Sequence, residues 1–586
     1  MTAYLPSEQQ YIDKLTEIVE ENFSNRDFGV AELAKEMGMS HSSLHRKLKA
    51  IARQSISQFI RETRLKRAKD LLEHQAGTVA EVAYGVGFGS TTYFSKCFHD
   101  YYGYPPGEVR KKFSSESVPG ETFSTGELAE NRIKSIAVLP FDNYTGDDEQ
   151  SFLVFGMQDA LISELGRLGA IRVLSKTSTL AYANSEKTIK EIATELGVEG
   201  IIEASVLLIG EKIRIQLKLY NAVPEEKQLW AQTFDVDMSN ILKLYGKVIT
   251  KVASEIQYTL SPELQTHLDE TRKVNPESYK AYLRGKYNIY LGTPEGVQKG
   301  LEYLHDAVKI DPAEPLAYAG LALGYLDIAH GPFNAGDAYM KAEWATQQAL
   351  KLDPNLAEAK VAQAELVIYV SWKFQEGEQI IKEALELNPS LSLTHYLYAW
   401  TLYLLGRNEE AITEHELARK FDPFNPMLTA FLGVLYAYTD RYDDAIREAH
   451  NAFKIVKDFP LSYFTLGETY LAMGETGKAI EAYGKLAELA PAWGWFLGYA
   501  YAVNGQREEA EIILEDLEKA EISGWNAMAM AVISGALGRF DDAFRLIKYE
   551  PNHVWIPWIA VMPMWKPLYK DPRHAEFVKN LNLPGK

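Results

Sequence analysis

The 586-residue chain has one cysteine, Cys97, and lacks any long apolar run. A single cysteine excludes a framework of internal disulfide bonds and is typical of proteins from a reducing compartment. The longest apolar stretches, such as Ile201–Ile209, fall far short of the ~20 residues that a membrane-spanning helix requires. The first residues also lack the basic start, apolar run and small-residue cleavage site of a secretory signal. We therefore expect a cytoplasmic protein without membrane contact.

Residue patterns typical of catalysis and of cofactor binding are missing as well. The stretch Gly85–Ser90 is rich in glycine, but no strand precedes it and no lysine follows at the position that a phosphate-binding loop requires. His41 and His45 have metal-ligand spacing on a helix, yet no third ligand lies near them in the sequence. We accordingly predict no enzymatic activity, no cofactor and no metal site.

Charge is distributed unevenly along the chain. The formal net charge is −19, which by itself argues against a nucleic-acid binder. Residues 1–113, however, hold 16 Lys and Arg against 14 Asp and Glu, a net of +2, while the remainder has 45 against 66, a net of −21. Between positions 46 and 69, Glu62 is the only acid among nine bases. We call this segment the basic stripe; such a stripe is typical of proteins that contact a phosphate backbone.

Two segments near the N-terminus follow one plan. Val30–Ser40 and Val79–Ser90 each predict a short helix that ends in a glycine turn. The helices that follow the two turns carry apolar side chains four residues apart on one side: Leu44 and Leu48, then Phe94 and Phe98. Between the two segments, Ile56–Leu72 predicts a connecting helix whose outer face bears part of the basic stripe. A helix, a tight turn and a second helix form the helix-turn-helix motif, here present twice.

The spacing of these segments is similar to that of the DNA-binding domain of the AraC/XylS family of transcription regulators. The residues that carry the resemblance are Ala31–Lys35, Met39–Lys49, Phe59–Arg61, Arg64–Ala68, Glu81–Tyr84, Gly87-Phe88, Tyr93–Lys96, Phe98, Pro105-Pro106 and Arg110. In that family both second helices, the recognition helices, enter adjacent major grooves of double-stranded DNA, roughly one helical turn (~34 Å) apart.

The resemblance implies which side chains face bases or nearby phosphates. By position, the first recognition helix contributes Ser42, His45 and Arg46, and the second contributes Thr91, Thr92, Tyr93, Ser95 and Lys96. From the basic stripe we add Lys49, Arg61 and Arg64 as further DNA-binding residues. An arginine can bind guanine through two hydrogen bonds, whereas serine and threonine make less selective contacts, so Arg46 is the main expected base contact.

The middle of the chain predicts a small α/β domain at residues 132–262, after a linker at 116–131. Strands are expected near Ile136–Phe141, Ile171–Leu174, Ile201–Ile209, Ile213–Tyr220 and Leu229–Val236, and helices at Ala160–Leu168, Ile189–Leu196 and Ile241–Thr259. This stretch resembles the TolB-like domain of bacterial regulators and cyclase-linked proteins through Ile136–Asn143, Gly156–Leu165, Glu195–Val198, Ala204–Val206 and Leu229–Ala231. The resemblance implies no catalytic residues.

From about Asn275 the chain is helical and self-similar. Six prolines at 312, 354, 389, 423, 460 and 491 punctuate it at intervals of 42, 35, 34, 37 and 31 residues. Between them, segments such as Tyr398–Ile412 resemble tetratricopeptide repeats, whose period is about 34 residues. Within a solenoid domain at 263–550 we predict about seven helix pairs over Asn275–Glu550, of which the last, at Gly535–Ala543, is degenerate. Small residues are expected where helices cross: Gly320, Gly433, Gly467 and Gly498.

The repeats predict a solenoid with a groove that binds a protein, a peptide or a small ligand. Trp372, Trp400, Trp493, Trp495 and Trp525 are candidates for its lining, although aromatic residues at repeat spacing are more often part of a core. The aromatic and proline-rich residues 551–586 predict a tail that caps the last helix pair.

The expected fold is therefore multidomain: an all-α double helix-turn-helix at 1–115, a small α/β domain and an α-solenoid of tetratricopeptide repeats. The expected function is a sequence-specific DNA-binding transcription regulator whose other regions sense a ligand or bind a partner, and which could form a homodimer. Two alternatives remain: a scaffold that uses its repeats and binds DNA weakly, and an enzyme related to the cyclase-linked proteins.

Overall fold

The computed structural model divides the chain into two units, Met1–Gly126 and Glu127–Lys586. It describes residues 11, 14–16, 18, 19, 22, 28–39, 41–52, 56–73, 82, 83, 85–88, 94, 97, 98, 101, 106, 133–144, 150–169, 171–209, 212–269, 271–330 and 337–583. The predicted linker at 116–131 lies outside the described residues. Independent folding of residues 1–115 and of residues 132–586 stays a prediction.

Three helices are described in the N-terminal unit: α1 Val30–Glu36, α2 His41–Ala52 and α3 Ile56–Glu73. At the start of α1, the Gly29 amide donates a hydrogen bond to the Glu32 carboxylate at 2.9 Å. This bond satisfies a donor that the helix itself leaves unpaired. Leu44 and Leu48 of α2 are fully buried against Leu33 of α1. The predicted order of helix, turn, helix and connecting helix is confirmed here.

A mixed sheet forms the first part of the C-terminal unit. Its strands are β1 Ser135–Val138, β2 Asp142–Asn143, β3 Arg172–Val173, β4 Gly200–Ile209, β5 Lys212–Asn221 and β6 Lys227–Asp237. Their order is β3-β1-β4-β5-β6, and β2 pairs with β4 beyond the end of β1. The first four strands pair in parallel, whereas β4, β5 and β6 form an antiparallel meander. All five predicted strands are present.

Helices cover both faces of this sheet. They are α4 Ser151–Gly166, α5 Lys176–Thr179, α6 Ile189–Leu196, α7 Ile241–Glu255 and α8 Pro262–Asp269. Because successive residues of a strand point to opposite faces, Ile136 and Val138 of β1 pack with α4 and α7, whereas Ala137 packs with α6 on the other side. This arrangement explains why β1 is buried on both faces and why Ile136, Ala137 and Val138 are all apolar.

Eight helix pairs follow, one more than the prediction of about seven. They are α9 Pro276–Tyr290 and α10 Pro294–Ile310, α11 Pro315–His330 and α12 Ala338–Leu352, α13 Ala357–Tyr369 and α14 Phe374–Leu387, α15 Ser392–Leu404 and α16 Asn408–Phe421, α17 Pro426–Tyr438 and α18 Tyr442–Ile455, α19 Pro460–Ala472 and α20 Thr476–Leu489, α21 Trp495–Val503 and α22 Arg507–Lys519, and α23 Gly524–Ala536 and α24 Phe540–Ile547. The last pair begins with a serine cap, Ser523, instead of a proline, and it contains the degenerate repeat expected at Gly535–Ala543.

Glycines allow the helices of the array to approach closely, as predicted. A side chain at Gly433 of α17 would place its Cβ atom 2.6 Å from the Thr465 side chain of α19. At Gly498 of α21 the nearest atom is the Cγ2 atom of Ile513 at 3.0 Å. A Cβ atom cannot lie as close as 2.6 Å to another side chain. The close contact between α17 and α19 therefore depends on the absence of a side chain at position 433.

The sheet region and the helix array share one continuous hydrophobic core, which runs from Ile133 to Leu583. The sheet region lies along the turns that join successive helix pairs. Asn388, between α14 and α15, donates to the Ser163 carbonyl at 2.9 Å, and Ser178 donates to the Asp422 carboxylate between α16 and α17 at 2.6 Å. The two regions that the sequence treats as separate domains thus form one body.

A buried ion cluster also joins the sheet region to the array. Asp159 of α4 lies 3.1 Å from the ammonium of Lys176 and also binds Lys286 of α9. Burial alone would raise the pKa of Asp159, but the two ammonium groups hold it well below its usual range. The carboxylate therefore stays charged and links α4 to the first helix pair.

After α24 the chain continues through short 3-10 segments, Pro557–Ala560 and Pro563–Lys570, to a last helix, α25 Pro572–Asn580. We call residues 551–570 the C-terminal strap. Many of its apolar side chains are fully buried: Val554, Ile556, Ile559, Trp565 and Leu568. In the part of the chain that the structure describes, no helix combines the length and apolar character that a membrane crossing requires.

Candidate nucleic-acid interface and repeat surface

The first recognition helix is α2. Leu44 and Leu48 are its buried side, with 0% of each side chain exposed, and Arg46 and Lys49 are exposed. With 3.6 residues per turn, positions 42, 46 and 49 fall on the side of α2 away from the two leucines, and position 45 falls at the edge between that side and the buried one. Ser42 and His45 belong to the helix, but their side chains lie outside the described part. Arg46 and Lys49, the described side chains among these candidates, therefore lie on the side that the core leaves uncovered.

Both helix-turn-helix units make the same turn. In the first, the Met39 amide donates to the Ala34 carbonyl at 2.9 Å; in the second, the Phe88 amide donates to the Ala83 carbonyl at 3.0 Å. Gly38 and Gly87 precede these amides with φ values of +64° and +82°, a region that favours glycine because it has no Cβ atom. The repeat that the sequence predicts is confirmed at the level of backbone geometry.

The second recognition helix is described at three buried positions and at Tyr101, which is exposed. Phe94 and Phe98 are fully buried, with their ring centroids 5.5 Å apart, and Phe94 packs edge-on against Phe88 at 5.1 Å. Cys97 is buried beside them, as expected for a core residue. The predicted contact residues Thr91, Thr92, Tyr93, Ser95 and Lys96 lie outside the described residues. Their roles remain predictions.

The connecting helix α3 presents part of the basic stripe to solvent. Arg61, Lys66 and Arg67 are exposed, whereas Phe59 and Leu65 are buried on the other side. The DNA-binding residues predicted from the sequence include Arg61 but not Lys66, Arg67 or the exposed Lys47 of α2. The ammonium of Lys47 lies 3.9 Å from the Tyr11 ring centroid. All three omitted residues belong to the basic stripe, and this membership could have identified them from the sequence.

Arg64, the remaining candidate of α3, has partners inside the protein. Its Nη2 atom donates to the Phe28 carbonyl at 3.1 Å and its Nη1 atom donates to the Gly87 carbonyl at 3.3 Å. The side chain is partly buried, and this burial lowers the pKa of the guanidinium from its ordinary value. No pattern in the sequence indicates these two hydrogen bonds, and the phosphate contact of Arg64 stays a prediction.

The first helices of the pairs form a surface that the C-terminal strap crosses. Trp558 of the strap packs against Tyr369 of α13 and Trp400 of α15, at centroid distances of 5.9 and 5.6 Å. Only three residues earlier, Trp555 packs against Trp495 of α21 and Trp525 of α23, at 5.9 and 5.1 Å. One short segment thus contacts the third, fourth, seventh and eighth helix pairs.

These contacts require a curved array. Three residues of extended chain span at most about 11 Å. Neighbouring packed helices lie about 8–10 Å apart, so a straight stack would separate the third and eighth pairs by several times that span. The array therefore curls around the strap. Three of the five candidate tryptophans of the groove, Trp400, Trp495 and Trp525, contact the strap as part of the core, so the surface predicted to hold a ligand holds the chain's own residues at these points.

The strap also does more than the predicted cap. Leu568 does cover the last pair, where it packs against Gly535 of α23. The Val554 amide, however, donates to the Tyr339 hydroxyl of α12 at 3.2 Å, and the Tyr403 hydroxyl of α15 donates to the Val561 carbonyl at 3.4 Å. The sequence missed these contacts because partners about 160 to 215 positions apart leave no periodic pattern.

A cavity of about 790 Å³ lies where the sheet region meets the first helix pair. Arg284 lines it, with its guanidinium 4.4 Å from the Phe152 ring centroid. Lys280 and Lys309 also line it; Lys280 is paired with Glu277 at 2.8 Å. Within the part of the chain that the structure describes, Arg284 and Lys309 form no ion pair, although the Asp306 carboxylate is also in the lining. The volume is that of a small-molecule site.

Two family models match the chain: a helix-turn-helix domain at residues 33–112 and a tetratricopeptide repeat at 461–492. Putative adenylate cyclase 3 of Rhizobium meliloti (strain 1021) is 26% identical over 240 residues, which cover 41% of this chain and 40% of that protein. Transcriptional regulator HilA of Salmonella typhimurium is 26% identical over 317 residues, 51% of this chain and 55% of that protein. The chain thus spans only about half of these curated relatives.

The chain is also similar to one solved structure, that of a DNA-binding transcriptional dual regulator from Escherichia coli K-12. The two are 28% identical over a match that covers 20% of this chain and 100% of the chain in that structure, with a TM-score of 0.18. The matched positions 33–112 contain both glycine turns and all of α2 and α3, and the repeat match covers α19 and α20. The chain therefore carries an N-terminal helix-turn-helix domain of the AraC type followed, beyond a small mixed sheet, by an array of tetratricopeptide repeats.

Proposed function

We propose that this protein is a sequence-specific transcription regulator that binds double-stranded DNA with its two helix-turn-helix units. The observation that carries the proposal is the outer face of α2, where Arg46 and Lys49 are exposed opposite the buried Leu44 and Leu48. A recognition helix needs such a face, because its polar side chains must reach base edges while its apolar side holds it on the domain. The name of the relative HilA, a transcriptional regulator, is consistent with this function.

The candidate residues divide into two roles. Ser42, His45 and Arg46 of the first unit, and Thr91, Thr92, Tyr93, Ser95 and Lys96 of the second, are proposed to face base edges and the phosphates beside them. Lys49 and Arg61 are proposed to contact phosphates, which fix the orientation of the protein without reading sequence. A role on chromosomal DNA implies a cytoplasmic protein, and it needs neither catalysis nor a cofactor.

The experiment that tests this function selects bound fragments from a genomic DNA pool and titrates them in gel shifts with the full chain. We expect recovered fragments to share a sequence, and affinity to fall steeply as salt rises, because cations on the protein displace counterions from phosphates. Fragments without a common sequence would contradict the proposal. Affinity for every fragment no stronger than about 10 μM at physiological salt, a typical non-specific level, would favour the scaffold alternative.

We further propose that the region 127–586 senses a small anionic ligand in the cavity beside Arg284. The strap occupies part of the surface formed by the first helices, whereas this cavity is a separate site with the volume of a small-molecule site. Arg284 and Lys309 supply positive charge, and the Phe152 ring holds the guanidinium from one side. A guanidinium is suited to a carboxylate or phosphate because its donors match two oxygens at once.

Isothermal titration of the full chain with citrate and with inorganic phosphate tests the sensing role. We expect one of these probes to bind and Arg284→Ala to weaken it at least tenfold. Lys299→Ala removes an exposed cation of α10 outside the cavity and should leave binding within twofold. Equal loss in both variants would indicate non-specific attraction to surface charge. Absence of binding by either probe would favour a purely partner-binding role for the repeats.

A further inference from the structure

The connecting helix α3 supports two separate hydrophobic cores. Ile56, Phe59 and Ile60 pack into the core of the first helix-turn-helix unit. Leu65 and Leu72, further along the same helix, pack into the core of the second. In the described part of the chain the two cores share no residue. The relative placement of the two units therefore depends on α3 and on whatever side chains cross the boundary between the cores.

Arg64 lies at that boundary, directly before Leu65. Its hydrogen bond to the Phe28 carbonyl reaches the first unit just before α1, and its hydrogen bond to the Gly87 carbonyl reaches the turn of the second unit. The two acceptors are 59 positions apart in the sequence. One side chain thus contacts the backbone of both units at once.

The chemistry of the guanidinium suits such a link. Its donors are held in a rigid planar fork, so two bonds made by Nη1 and Nη2 fix the angle between their acceptors as well as the distance. A carbonyl that accepts from a charged donor also forms a stronger bond than one that accepts from a neutral donor. Both terminal nitrogens already donate within the protein, in contrast to the exposed Arg61 one turn earlier.

We propose that Arg64 is a positioning residue that sets the spacing of the two recognition helices. This inference rests on the proposed DNA-binding function. When two units on one chain bind two halves of one site, the second contact is intramolecular, and its strength depends on how well the linked geometry matches the spacing of the halves. Loss of the link leaves each unit able to bind its own half-site but widens the range of spacings that the pair samples.

The test uses the full chain with Arg64→Met, which keeps an apolar stem and removes both hydrogen bonds. Arg61→Met, which removes a proposed phosphate contact from the same helix, is the comparison and should weaken binding to every DNA by a similar factor. Three DNAs are titrated: the selected site, the same site with its second half replaced, and the site with one base pair inserted between the halves. For Arg64→Met we expect about tenfold weaker binding to the intact site, a change of less than twofold on the half-replaced site, and a smaller penalty for the inserted base pair than in the wild type.

A uniform loss on all three DNAs, with a shallower salt dependence, would overturn the proposal in favour of a phosphate contact by Arg64. Unchanged binding to the intact site would overturn it as well. Circular dichroism melting of each variant confirms that the protein is folded at the assay temperature.

A second measurement needs no DNA, so it separates failure of this inference from failure of the DNA-binding function. Spin labels are placed at Lys49→Cys on α2 and at Gly85→Cys in the second unit, in a Cys97→Ser background. Lys49 is exposed, and a Cβ atom at Gly85 meets nothing within 4 Å, so both positions tolerate a label. We expect Arg64→Met to broaden the distance distribution between the labels, and an unchanged distribution would overturn the proposal.

Discussion

The two units of the molecule bury their apolar residues in different ways. Among the described residues, the N-terminal unit has two small cores along α3, whereas the C-terminal unit has one large core that runs from the sheet through the helix pairs to the strap, beside three smaller clusters. A protein with two small cores can change the angle between them at little cost, because few contacts cross the boundary. A continuous core resists such motion, since every pair is packed against its neighbours and the strap packs against several of them.

The two regions also use their charged residues differently. Exposed cations such as Arg46 and Arg61 of the N-terminal unit point to solvent, where they can meet phosphates. Many acids of the repeats are instead structural. Glu378 accepts hydrogen bonds from Tyr398 and Arg407, and despite its burial these partners, with a nearby lysine, lower its pKa to about 2. Part of the −21 charge of this region is therefore committed to holding the helix pairs together.

Separation of the two regions is expected to have the largest effect. Fragment 1–115 should fold by circular dichroism and bind the selected DNA, whereas fragment 132–586 should fold and lose specific binding, a difference of at least about a thousandfold in affinity. The reason is that the proposed contact residues all precede position 116. An unfolded fragment 1–115 would show that the linker does not separate independent domains.

The same fragment also tests how the regions influence each other. If the acidic region competes with DNA for the basic stripe, fragment 1–115 binds more tightly than the full chain and the gap closes as salt rises. If the full chain instead binds more tightly, increasingly so with protein concentration, two copies pair through the C-terminal region.

The next largest effect is expected from a substitution in the strap. Trp558→Ala should lower the free energy of unfolding by about 3–5 kcal/mol, because it removes a large buried side chain and leaves a cavity beside Tyr369 and Trp400. Urea denaturation of the full chain followed by circular dichroism measures this. Trp344→Ala is the matched control, since Trp344 of α12 is 43% exposed, and its cost should stay near about 1 kcal/mol. Equal effects would mean that the strap is not part of the continuous core.

A buried histidine gives a pH-dependent test of the continuous core. Burial lowers the pKa of His415 on α16 to about 3, well below the ordinary value of 6.5. The unfolded chain therefore binds this proton first, and stability should fall as pH drops from 6.5 towards 3, by at most about 1.4 kcal/mol per pH unit from this group. His415→Leu should flatten that part of the stability profile in urea titrations. His450→Leu, which replaces an exposed histidine of α18, should leave the profile close to that of the wild type.

The smallest expected effect concerns base recognition. Arg46→Ala should weaken binding to the selected site by ~1–3 kcal/mol and relax preference at one base pair, because a contact to a base edge is lost. Lys35→Ala removes an exposed cation of α1 outside the basic stripe and should have a much smaller effect. A gel-shift titration at fixed salt compares the two. Wild-type affinity in Arg46→Ala would mean that the first recognition helix is wrongly aligned.

Local patterns explain what could be predicted. The glycine turns at Gly38 and Gly87 follow from residues a few positions apart, and so do the alternation of buried and exposed residues in β5 and the pairing of helices in the repeats. In each case one element's own periodicity determines which side is buried. The partners of Arg64 and Trp558 lie far away in the chain, so no periodicity in the sequence could indicate them.

The sequence by itself determined the order of the regions, the type of most elements and the side of α2 that remains uncovered, because these depend on the spacing of apolar residues and glycines over one or two turns. Only the tertiary structure decided that the sheet region and the repeats share a core, that the array curls around its own strap and that Arg64 joins the two helix-turn-helix units. Those outcomes depend on which surfaces meet after the chain has folded back on itself, and the free energy of such contacts is set by shape and burial rather than by local sequence.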